Sequence, residues 1–412
     1  MAPAISQAGA AMSRCKGVGV SSACEGLKRI VSPVPDSRLV ASSRTGTRQR
    51  KPMTTPTTIL PRWTLAVPVV AWIVLAAAYV LPGNGLLLAL VGIALCSAVF
   101  AAVHHAEVVA HRVGEPFGTL VLAVAVTVIE VALIVSVMLT SGPEKAGLAR
   151  DTVFAAVMIV CNGIVGLCLL VGGIRHREQD FQIRGAAAAL AVLASLSVLT
   201  LVMPNYTTTH AGPVLSSSQL AFAGVSSLVL YGVFVFVQTV RHRDYFLAGV
   251  PDEDVHAAPP GAALALTSGG LLLVCLVAVV LLAKLLSPVV ETAVQNAGAP
   301  PAVVGIVIAA LVLLPEGLAA VRAARADRLQ NSLNLALGSA LASIGLTIPT
   351  VAGVFLATGQ PLVLGINGKE TVLLLLTLLV GTLTLSTGRT TILQGAVHLS
   401  LFAAYLFLSF AP

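Results

Sequence analysis

Charge is what this sequence has least of. Only 10% of its 412 residues are Asp, Glu, Lys or Arg and 5% are aromatic, while 57% are hydrophobic. A soluble domain carries about 25% charged residues, so that class is excluded and the chain reads as an all-α polytopic membrane protein. The formal charge of +7 is local: residues 1–52 hold nine Lys or Arg and two acids, and from Met53 onward the signs balance. A nucleic-acid face needs basic residues on a folded surface, so a nucleic-acid partner is excluded too. Of the six cysteines, Cys15 and Cys24 lie in the tail and Cys96, Cys161, Cys168 and Cys275 in apolar stretches. They lack the close pairs of a zinc site and read as packing residues. Aspartate-rich boxes are missing as well. The run His104, His105, Glu107, His111 fits neither HExxH nor HxxEH, which weighs against an intramembrane prenyltransferase or protease.

The tail, residues 1–58, is rich in Ser, Ala, Arg and Gly and cannot bury a core, so it is expected to be disordered. Three readings fit it: an organelle transit peptide, an arm touching anionic lipid, or sequence upstream of a start at Met53, the reading we favour. Deleting residues 1–52 should then leave transport intact.

What the sequence has in abundance is apolar runs. Windows of about 19 residues give eleven spans: 63–81, 86–105, 117–139, 153–174, 186–202, 220–240, 264–286, 302–320, 333–356, 371–385 and 392–410. A hydrophilic segment, 241–261, with the acids Asp252, Glu253 and Asp254, separates six spans from five; it reads as a solvated loop, with a regulatory cation site as the sharper alternative. With the N-terminus inside, ten loop Lys or Arg fall inside and four outside, which by the positive-inside rule places the N-terminus in the cytoplasm and the C-terminus outside.

An internal repeat organises these spans. Glu107, Gly114 and Pro116 precede the third span with the spacing that Glu291, Gly298 and Pro300 keep before the eighth. On this reading each trio opens its helix. Glu130 and Glu316 follow at nearly equal distances beyond the prolines. The plan is one extra helix (59–84) and two five-helix repeats (85–240 and 262–412). Five is an odd number of crossings, so the second copy is inverted relative to the first, and two carboxylates should meet at the midplane.

An ionised carboxylate at that depth costs several kcal/mol unless it has partners, so an intramembrane Glu marks function by default; the plainer alternative is a protonated Glu bonded across a helix interface. Ser339, Ser343 and Thr347 recur every fourth residue in the ninth span, a polar stripe on one face. Asn162 aligns with Ser343 in the fourth. Small residues here also suit close helix packing. Glu107 and Glu291, with His105 and His111, are candidates for entry mouths or a hydrated vestibule, His being a residue that titrates near neutrality. His398 reads as a satisfied interior side chain.

At these residues the chain resembles the calcium/cation antiporter superfamily, and within it the cation/proton exchanger branch of the bacterial ChaA type. The resemblance runs from Trp63 to the end and is carried by 107–139 and 305–349. In that family a GNxxE signature holds the cation-binding Glu; Glu130 and Glu316 fall at those positions, and LNLALGSALAS with Ile348-Pro349 resembles the helix that follows. Val126 and Thr127 stand at the signature's Gly and Asn in the first copy, Val312 and Leu313 in the second. That leaves fewer oxygens than the six to eight Ca²⁺ takes and fits a branch whose implied substrates include monovalent cations.

The resemblance implies a secondary antiporter without a cofactor, exporting Ca²⁺, Na⁺ or K⁺ in exchange for H⁺. Glu130 and Glu316 would hold the cation, with Thr127, Asn162, Ser339 and Ser343 completing its shell and the Leu311 carbonyl, left without its helical donor by Pro315, assisting. A cation channel or an intramembrane enzyme is the alternative class. The implied location is a bacterial inner membrane, or an organelle membrane if the tail is a transit peptide.

Overall fold

The structure is a computed structural model describing residues 60–81, 84–114, 117–140, 146–246, 260–359 and 362–411. The tail at 1–58, the acids at 252–254, Pro116 and Lys145 lie outside the described residues. Eleven helices run through the rest: α1 (Arg62–Val80), α2 (Gly85–Val113), α3 (Phe117–Thr140), α4 (Leu148–His176), α5 (Ile183–Tyr206), α6 (Ser217–Arg241), α7 (Ala262–Asn296), α8 (Ala302–Arg325), α9 (Leu329–Thr358), α10 (Gly368–Leu385) and α11 (Ile392–Phe410). All but α3 are long and apolar enough over their described residues to cross a bilayer, and α3 runs for 24 residues. A two-stranded sheet pairs β1 (Gln179–Asp180) with β2 (Arg389–Thr390), antiparallel.

Local chemistry sets several starts. The Asn84 side chain accepts from Leu86 and Leu87 N–H to cap α2. Reciprocal capping boxes open α6 (Ser216 with Gln219), α10 (Asn367 with Glu370) and α11 (Thr391 with Gln394), each satisfying otherwise orphaned backbone N–H groups. α11 has the bounds expected from hydropathy alone.

The expected ends at 105 and 286 are corrected. α2 continues to Val113 and α7 to Asn296, because a helix leaving the hydrocarbon keeps its backbone bonds internal and tolerates polar side chains. Glu107 and Glu291 therefore lie in the closing turns of α2 and α7 and do not open α3 and α8. Gly114, the C-cap of α2, and Gly298, just beyond α7, both take positive φ, +77° and +67°, a backbone that glycine adopts most readily. The first helix of each repeat thus ends near a positive-φ glycine.

Packing obeys the repeat. α2 packs on α7; α3 packs on α9 as α8 packs on α4; α4 packs on α11 as α9 packs on α6. Exchanging the first five-helix set with the second maps the α2–α7 pairing onto itself and the other pairings onto one another. Loop contacts do likewise: the α4–α5 and α10–α11 loops meet through β1 and β2, while Gly365 N–H donates to Pro213 and Ile366 N–H to Leu201 between the α9–α10 loop and the end of α5 and its following loop.

Three buried clusters result among the described residues. The largest gathers α4, α5, α8, α9 and parts of α3, α6, α10 and α11; a second joins α1, α2, α7 and part of α3; a small third joins Val294 of α7 to Val303 and Val304 of α8. The outward surface stays apolar, with Ile73, Val80, Phe222, Leu266 and Leu393 exposed, as lipid contact requires. α9 belongs to the largest cluster, with buried residues from Leu329 through Ala352 and burial on every side from Ser339 through Gly345.

Candidate functional site

Glu130 and Glu316 are both buried, at 3% and 4% exposure. Each accepts a hydrogen bond from α9: Ser343 Oγ donates to Glu130 Oε1 at 2.6 Å, and Ser339 Oγ donates to Glu316 Oε2. Residues four apart on a helix stack on one face roughly 6 Å apart along its axis. One face of α9 therefore holds both carboxylates, one from each repeat, a turn apart. Thr347, the next member of the stripe, is fully buried, and its Oγ1 has no hydrogen-bond partner among the described residues.

Thr127 is also buried; its hydroxyl donates to the Ala123 carbonyl at 2.8 Å, which leaves its oxygen free to accept. Val126, Val312 and Leu313 are buried beside the glutamates in sequence, so apolar side chains occupy these signature positions.

Helices bring these groups together at glycines and a proline. A Cβ on Gly345 would lie 2.7 Å from Tyr231 Cβ, and one on Gly224 would lie 3.3 Å from Pro349 Cα, so α6 and α9 approach closely through small residues. The matching seam, α4 on α11, uses Gly166, where a Cβ would lie 2.9 Å from His398 Cβ, and Gly395. Pro315, one residue before Glu316, is inside α8 and removes the N–H that the Leu311 carbonyl would otherwise accept.

Asn162 sits elsewhere in the network. It lies in a π-helical turn of α4, Ile159–Ile164, with its Nδ2 donating to Thr377 Oγ1 at 2.8 Å and its Oδ1 3.2 Å from His398 Nδ1. Among the described residues its side chain meets α10 and α11 and not the glutamates. Hydropathy reading missed Thr377 and Thr384 as partners. Their seven-residue spacing on α10 was the available signal, since it places both on one helix face.

The entry candidates are spread out. His105 is fully buried, its Nε2 3.1 Å from the Thr64 carbonyl of α1, a helix contact and not a water-lined position. His111 is exposed. Glu107 is partly exposed, with an Oε2 3.8 Å from His104 Nδ1, and Glu291 accepts from Ser287 at 2.8 Å. The two acids occupy matching ends of α2 and α7.

Comparison with known proteins agrees with this architecture. The sodium/calcium exchanger protein family matches residues 84–240 and 267–411. A protein of Sinorhizobium fredii named as an ionic transporter is 53% identical over 86% of this chain and 97% of its own length. The sodium-potassium/proton antiporter ChaA of Escherichia coli is 38% identical over 79% of this chain and 88% of its own. Among solved structures, the H⁺/Ca²⁺ exchanger CAX superposes with a TM-score of 0.64 at 15% identity, over 84% of this chain and 87% of that one; it shares the fold. The chain belongs to the sodium/calcium exchanger protein family, and it is a multi-pass membrane cation antiporter rather than an enzyme.

Proposed function

We propose that the chain exchanges a cytoplasmic cation for H⁺ at Glu130 and Glu316 by alternating access, with Na⁺ and K⁺ as its principal substrates and Ca²⁺ as a further one. The observation that carries this reading is the hydrogen bonding of two buried carboxylates, one per repeat, to hydroxyls one turn apart on α9. Burial favours a carboxyl's protonated form and a bound cation favours its ionised form, so the pair holds protons or a cation but not comfortably both. That competition couples the two fluxes. The empty, doubly ionised pair is held back from reorienting by its own burial cost.

Thr127, Ser339 and Ser343 supply neutral oxygens, and the Leu311 carbonyl another. Buried Val126, Val312 and Leu313 limit the shell below the six to eight oxygens of a Ca²⁺ site, and the name of the Escherichia coli relative agrees with monovalent substrates. In a bacterial inner membrane, with the N-terminus cytoplasmic, the direction is export. Proton release from vesicles of known internal pH, challenged separately with Na⁺, K⁺ and Ca²⁺, tests this. The expected result is saturable release with Na⁺ and K⁺ and weaker release with Ca²⁺; release by Ca²⁺ alone contradicts the substrate assignment.

A further inference from the structure

A second polar cluster lies inside the bundle, outside the paired-glutamate site. His398 of α11 is 2% exposed, Asn162 is fully buried, and Thr377 and Thr384 of α10 are 1% and 4% exposed. His398 Nε2 lies 3.1 Å from Thr384 Oγ1, and its Nδ1 lies 3.2 Å from Asn162 Oδ1. The Asn162 amide nitrogen donates to Thr377, so its oxygen is the accepting end. This assigns the neutral Nδ1–H tautomer to His398, with Nε2 accepting from the Thr384 hydroxyl. Every polar atom of the imidazole and the amide is then used, as burial in hydrocarbon demands.

What this cluster holds is the π turn of α4. A π turn carries an extra residue and recurs at functional sites. Asn162 contributes the carboxamide of the Ile159–Ile164 segment, and through it the turn is tied to α10 and α11 together. The same turn packs on the far side against α8 and α9. There Ile164 faces Gly317: a Cβ on that glycine would lie 3.2 Å from Ile164 Cδ1. Gly317 directly follows Glu316. A relaxation of the π turn into an α-helical one would rotate the residues after it and move Ile164 away from that contact.

We propose that His398 is a positioning residue of the exchange site: through Asn162 it pins the π turn of α4 whose Ile164 packs on Gly317, beside Glu316. The inference rests on Glu316 belonging to the exchange site and does not require Asn162 to touch the cation.

The test uses the full chain in vesicles and reads KM for Na⁺ and K⁺ separately from maximal rate, by cation-driven proton release. His398→Leu leaves a buried amide oxygen unpaired and should raise cation KM about tenfold with the maximal rate per inserted protein kept within about twofold. His398→Asn places an amide N–H where Nδ1 stands and should restore KM to near the unsubstituted value. Thr377→Val, which removes the other anchor of Asn162, should raise KM in the same direction, and it carries the test if His398→Leu fails to insert. A purely structural role would lower the amount of active protein and the maximal rate while leaving KM alone; that result, or a His398→Asn variant no better than His398→Leu, overturns the proposal. Failure of the underlying site reading is seen separately, as exchange retained in Glu316→Gln whatever the His398 variants do.

Discussion

A serine hydroxyl in water is a minor group, but Ser343 and Ser339 each meet a carboxylate in a water-poor interior. There the alternative to the bond is an unpaired polar atom, which costs about 1–3 kcal/mol. Ser343→Ala should therefore keep exchange yet change the ratio of Na⁺ to K⁺ KM by about two- to tenfold, measured by proton release under each cation in turn. An unchanged ratio would remove Ser343 from the cation's shell. The glutamates were legible in the sequence because a carboxylate within an apolar span has few bland explanations. Which hydroxyl serves which glutamate was not. Ser343 aligns with Asn162, yet these two side chains face different neighbours, and only the packing of α4 against α10 and α11 decides that.

At the scale of helices, glycines divide into those that another element touches and those that face open space. On α9, a Cβ at Gly345 would press on Tyr231 at 2.7 Å, whereas Gly338 has nothing within 4 Å. Gly345→Ala should destabilise by about 1–3 kcal/mol through overpacking and lower the melting temperature of the purified protein in detergent. Gly338→Ala should be neutral or mildly stabilising, since alanine is the better helix former. Equal melting temperatures for the two variants would show that α6 and α9 are not held by this contact. The bounds of α11 were readable from hydropathy because its capping residue, Thr391, adjoins the apolar run. Those of α2 and α7 were not, since their last turns are polar and the Pro288 of α7 imitates a break. The π turns of α4, α5 and α6 leave no mark in hydropathy, because they depend on what pins them.

Over the whole molecule, the repeat was visible in the matched Glu, Gly and Pro spacing, and the fold realises it as interchanged helix pairings and matching positive-φ glycines. On the proposed function neither repeat owns a complete site: α3 brings Glu130, α8 brings Glu316, and α9 presents hydroxyls to both. Exchange on that proposal requires both carboxylates to alternate between proton and cation. Glu130→Gln and Glu316→Gln keep side-chain shape while removing the exchangeable proton and the charge. The decisive measurement is cation-driven proton release from vesicles containing each variant, normalised to inserted protein. Loss of coupled exchange in both, with melting behaviour close to that of the unsubstituted protein, is the expected result; near-normal exchange in either one would contradict the paired-glutamate site.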